Sequence, residues 1–147
     1  MPKARPDTYS EPTDCGRFMD HAEGYDLEER LITFAVRATE VARALVRDVA
    51  GKHVANHLMR SSTSAAFHYG EAQSAESAAD FVHKMKVCLK ELREARICLV
   101  LAQRAKLISP PERLDALIDE SRQLILIFHA SIATAEKKQQ TPKRRKP

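Results

Sequence analysis

The chain has 147 residues, 24 Lys and Arg against 20 Asp and Glu, a formal net charge of +4, and 44% hydrophobic residues with no Trp. That length fits one domain, and the apolar fraction is enough to build a core without disulfides or a structural metal. Only four glycines, with charges dispersed among Arg, Glu, Ala and Leu, argue against a sheet protein, which needs more β-branched and turn residues, and for an all-α fold.

Residues 1–24 contain Pro2, Pro6 and Pro12, scattered charges and no hydrophobic period, which predicts a disordered lead-in. Order is expected from Tyr25. Asp26 followed by Glu29 resembles a capping box, and Leu27, Leu31, Phe34, Ala35, Ala38, Ala42, Leu45 and Val49 hold a stripe at helical spacing. A first helix is predicted over 27–49, with Gly51 breaking it. Val54, Leu58, Met59, Ser62, Ala65, Ala66, Tyr69 and Ala72 continue a second stripe of smaller residues, which lets another backbone approach. The run Ser61-Ser62-Thr63-Ser64 competes for backbone hydrogen bonds, so a bend or a tight helix crossing is expected there.

The strongest periodicity lies in residues 78–102, where Ala78, Phe81, Met85, Cys88, Leu92, Ala95, Leu99 and Ala102 step by three and four. Ser77, with Asp80 three residues on, predicts the cap of this third helix. Ser109-Pro110-Pro111-Glu112 then reads as cap, helix-compatible proline and reaching acid, starting a fourth helix over 110–136. Its expected buried face is Leu114, Leu117, Ile118, Ser121, Ile125, Phe128 and Ile132. Leu124, Leu126 and Ile127 widen the apolar arc, and that surplus points to a subunit interface. Four helices with short links predict an antiparallel up-down-up-down bundle over 25–136.

Charge is laid out unevenly. Residues 137–147 hold six basic groups and no acid, so the basicity is largely a tail, expected to be disordered. Residues 77–106 hold seven basic and three acidic side chains, whereas 110–136 hold two and five. The basic residues Lys84, Lys86, Lys90, Arg93 and Arg96 of the third helix are therefore candidate nucleic-acid contacts, because phosphate backbones are attracted without sequence preference. Lys143, Arg144, Arg145 and Lys146 of the tail join them. Eight Phe and Tyr residues leave few platforms for base stacking, so base-specific readout is not expected.

No reaction chemistry stands out. His53 and His57 share a helical face, yet the Glu that follows the first His in a zinc-hydrolase helix is missing, as is a third ligand, and no metal or other cofactor is expected. The serine cluster has no Gly-flanked elbow. Glu71 and Glu76 fall on different helix faces, and no Gly-rich phosphate loop exists. Cys88 and Cys98 lie about 15 Å apart along one helix at 1.5 Å per residue, beyond bridging distance, and with Cys15 read as free thiols of a cytoplasmic protein. No apolar run approaches a membrane span. A non-enzymatic role follows, either on nucleic acid or as a protein-binding module using the fourth-helix arc or the second-helix face.

The ordered set Gly51-Lys52-His53, Arg60-Ser61-Ser62-Thr63-Ser64, Tyr69-Gly70-Glu71-Ala72, Glu76-Ser77, Asp80-Phe81, His83-Lys84 and Lys90-Glu91-Leu92-Arg93-Glu94-Ala95-Arg96 resembles the rRNA intervening-sequence proteins, a four-helix-bundle family first noted inside insertions of bacterial large-subunit rRNA genes. The likeness covers about residues 25–136. It departs from the family at His68, where Asn is usual, and at Ile97 and Cys98, where aromatics are usual. The resemblance implies a homopentameric ring. It also implies kinship with accessory variability proteins of diversity-generating retroelements, basic barrels that bind a reverse transcriptase and nucleic acid. On this likeness Arg60, Ser61, Ser64, Tyr69 and Glu71 correspond to a helix-two motif of packing and polar linkage, and Lys84, Lys90, Glu91, Arg93 and Glu94 to a helix-three motif at an oligomer or nucleic-acid surface.

Overall fold

A computed structural model describes residues 21–141, with side chains from Leu27 onward. Among these residues the chain forms α1 (His21–Leu45), α2 (Val49–Gln73), α3 (Ala78–Arg104), a 3-10 turn over Pro111–Leu114 and α4 (Asp115–Gln140), with no strand. Contacts between neighbouring helices run antiparallel. Arg60 and Glu71 of α2 meet Glu94 and Lys84 of α3, the later residue of one helix meeting the earlier residue of the next. Likewise Lys86, Arg93 and Gln103 of α3 reach Glu136, His129 and Asp115 of α4. The architecture is an all-helical four-helix bundle.

The stripes read from the sequence make the core. Leu31, Phe34, Leu45, Leu58, Tyr69, Phe81, Met85, Leu92, Leu99, Leu124 and Phe128 are all buried to within 2%. Tyr69 and Phe128 meet edge to face across the bundle, ring centroids 5.9 Å apart, a preferred aromatic geometry. On α4 the buried line passes through Leu124, while Ile118 and Ile125 are only partly covered and Leu126 is 67% exposed. Val49 and Met59, expected in the stripes, are also exposed.

Several boundaries differ from the expectation. α1 begins at His21, so Asp26 lies inside the helix instead of capping it. α1 also ends earlier, at Leu45, and Gly51 sits in the first turn of α2. The break is set by Asp48, whose Oδ1 accepts from the Gly51 N–H at 2.8 Å, the N-cap bond that starts α2. Ser109 does not cap α4. Its carbonyl accepts from Arg113, and the chain passes through the 3-10 turn before α4 begins. α4 continues through Lys137 and Lys138 to Gln140, where cations suit the negative end of the helix. The Ser77 cap is as read, with Oγ accepting from the Asp80 N–H at 3.0 Å.

The serine run neither bends nor breaks α2. Ser61 donates to the His57 carbonyl at 2.8 Å, Ser62 to that of Met59, and Thr63 to Met59 at 2.7 Å. Ser61 and Ser62 are fully buried, and their hydroxyls are satisfied within their own helix.

Candidate nucleic-acid interface

The cations of α3 divide between two neighbours. Lys84 turns toward α2, its Nζ 2.8 Å from Glu71, whose carboxylate also lies 3.3 Å from His68 Nδ1. The hydrogen bond from Lys84 holds the Glu71 carboxyl below its usual range, and the same bond raises the Lys84 ammonium. Lys84, expected among the candidate contacts, is thus paired toward α2, apart from Lys86 and Arg93.

Lys86, Arg93 and Arg96 lie on the α4 side. Lys86 Nζ stands 2.6 Å from Glu136, and Arg93 lies 2.6 Å from His129 Nε2. A guanidinium only donates, so Nε2 is the acceptor of this contact. Lys90 is exposed on the next turn. Arg93 and Arg96 line a groove of about 440 Å³ together with Arg122 of α4 and the aliphatic side chains of Ile97, Ile125 and Leu126. No carboxylate belongs to that lining. Arg122 was not singled out by the sequence reading, because only the α3–α4 register brings it opposite Arg96. Lys143, Arg144, Arg145 and Lys146 fall outside the described residues, as does Cys15.

Four of the resemblance-derived residues, Arg60, Glu71, Lys84 and Glu94, meet across the α2–α3 seam. Arg60 donates to Glu94 Oε1 at 2.7 Å, and His57 Nδ1 approaches the same oxygen at 3.2 Å. Ser61 and Tyr69 are buried in packing, whereas Ser64 and Glu91 are half-buried. Burial, aided by the Glu28 charge, raises the Tyr69 phenol well above its ordinary range. Cys88 and Cys98 are buried free thiols, and burial pushes Cys88 up to about 12 and Cys98 in the same direction.

His53 and His57 stack edge to face at 4.7 Å. Among the described residues no group of three or more His, Cys, Asp or Glu is arranged to hold a metal ion, and no helix is long and apolar enough to cross a membrane.

With the geometry in place, comparison with solved structures gives a likeness to a protein of unknown function from the S23 ribosomal protein family of Bacteroides thetaiotaomicron. The two are 27% identical with a TM-score of 0.66, over 76% of this chain and 98% of that one. This likeness supports a related family as well as a shared fold. No family model matches the chain, and no curated protein matches it.

Proposed function

We propose that this chain is a non-enzymatic bundle protein that assembles into a homo-oligomeric ring, a pentamer on the family resemblance, and associates in the cytoplasm with RNA or DNA through its basic surfaces. Lys86 and Lys90 of α3 supply the principal contacts. The tail residues Lys143 to Lys146 extend them, and the element served is RNA-linked or carries a reverse transcriptase. The narrower likeness to rRNA intervening-sequence proteins belongs to this proposal.

The observation that supports the reading is the exposed pair Lys86 and Lys90, one turn apart on one helix edge and repeated in every copy of an assembly. A single copy holds part of this charge in internal pairs, Lys86 with Glu136 above all, so summation across copies is what makes the field strong. Exposed pairs of this kind hold weakly and exchange readily for a phosphate.

Filter binding to a mixed-sequence RNA and a mixed-sequence DNA across a salt series tests it. Affinity at about 50 mM salt that falls steeply toward 200 mM is expected, with Lys86→Ala and Lys90→Ala each lowering the log-log slope by roughly one. Absence of binding at the low-salt end would overturn the nucleic-acid role.

A further inference from the structure

We infer that the groove between α3 and α4 seats the outer face of α1 from a second copy of this chain, so that copies join head to tail. The inference rests on the assembly half of the proposed function and names the surfaces that meet.

The groove presents two chemistries at once. Part of its lining is aliphatic, and Ile97 and Leu126 stand 55% and 67% exposed to water. The rest is cationic, Arg93, Arg96 and Arg122, with no acid among the lining residues. Water is a poor partner for the aliphatic side chains, and no carboxylate of the lining offsets the three guanidinium groups. The occupant that answers both is a helix with apolar residues at its centre and carboxylates beside them.

The chain carries such a helix face itself. Ile32 and Val36 of α1 are four residues apart and 44% and 54% exposed. Glu29 precedes Ile32 by one turn and Glu40 follows Val36 by one turn, both exposed, so the carboxylates bracket the apolar pair over about 16 Å of helix. Arg37 shares surface grooves with both Glu29 and Glu40, and the exposed Arg43 follows Glu40 by one turn, so the face is acidic at the two carboxylates and not throughout. Nucleic acid answers the arginines but not Ile97, Ile125 and Leu126, since aliphatic side chains give bases no stacking surface and would stay wet beneath a phosphate backbone. The tail is cationic and answers neither.

Because groove and α1 are different surfaces, each copy offers one of each, and the contact is heterologous: every added copy leaves a groove at one end and an α1 face at the other until the set closes. Lys86 and Lys90 lie outside the groove lining and remain available to a polyanion.

Charge exchange tests this on the full chain by sedimentation velocity at micromolar concentration, with helicity followed by circular dichroism. The wild type should sediment as an assembly. The double variants Arg96→Glu/Arg122→Glu and Glu29→Arg/Glu40→Arg should each sediment as single chains, and mixing them in equal amounts should restore assembly, because each supplies the surface that the other needs. A single-chain wild type, a folded double variant that keeps the wild-type mass, or a mixture that stays dissociated overturns the inference. Should either double variant lose its helicity, Leu126→Ala decides instead. It should raise the dissociation constant about tenfold or more, and an unchanged constant overturns the inference. Filter binding of the same samples reads the nucleic-acid role separately.

Discussion

The backbone carbonyl of Leu45, the last residue of α1, occupies the place where a β-carbon on Gly51 would stand. Here the glycine serves close approach of two helix ends, not a helix break. Gly51→Ala must push apart α1 and α2 at backbone rather than at a flexible side chain, and should cost about 1–3 kcal/mol. Gly70 has open space around the same position. Gly70→Ala should therefore stabilise by roughly 0.5–1 kcal/mol through the lower entropy of the unfolded chain and better helix propensity. Urea titration of both variants checks the opposed signs.

Phe128 and Leu126 sit two residues apart on α4 with opposite surroundings, one fully buried against Tyr69 and the other 67% exposed. Phe128→Ala should lose about 3–5 kcal/mol of stability. Leu126→Ala should stay within about 0.5 kcal/mol in the dissociated chain, since nothing is excavated from the core. Thermal melts at low protein concentration separate the two.

The two described thiols should be chemically silent in the folded protein. Burial favours the neutral form of Cys88 and Cys98, and the thiolate is the reactive species. In a Cys15→Ser background, a disulfide reagent at pH 8 should label neither residue in the native state and both in guanidinium. Labelling at the rate of a free thiol without denaturant would contradict the burial.

The Glu71 and Lys84 pair gives stability a two-sided pH dependence. Glu71 is held below its ordinary value of 4.5, so its contribution is present above that pH and fades as pH falls through the lowered value. Lys84 is raised above 10.5, so its contribution is present below that pH and fades as pH rises through the higher value. The pair is exposed and the effect small. Glu71→Gln should flatten both flanks of the stability profile relative to the wild type, measured at low salt.

The core was legible because burial follows periodicity: the line from Phe81 to Ala102 could be read directly, and the Ser77 cap depends on residues three apart. Boundaries set by longer geometry were not. Asp48 caps α2 through a bond to Gly51 that looks, in sequence, like a helix breaker followed by more helix. Ser109 and its prolines carry the pattern of a helix start, but the chain spends them on a 3-10 turn before α4. The candidate surface was half legible. Lys86, Lys90 and Arg93 share an edge as their spacing requires, whereas the turning of Lys84 to Glu71 and the arrival of Arg122 beside Arg96 depend on how far one helix slides along another.

The Ser61, Ser62 and Thr63 hydroxyls of α2 bond to their own backbone, so these three add no directional bond to the seam with α3. Small side chains bring the two rods near but do not say how far along each should stop. Interlocking of the buried side chains fixes that stop. Glu94 meeting Arg60 at one level and Glu71 meeting Lys84 at another are the graduations on which the setting can be read from outside.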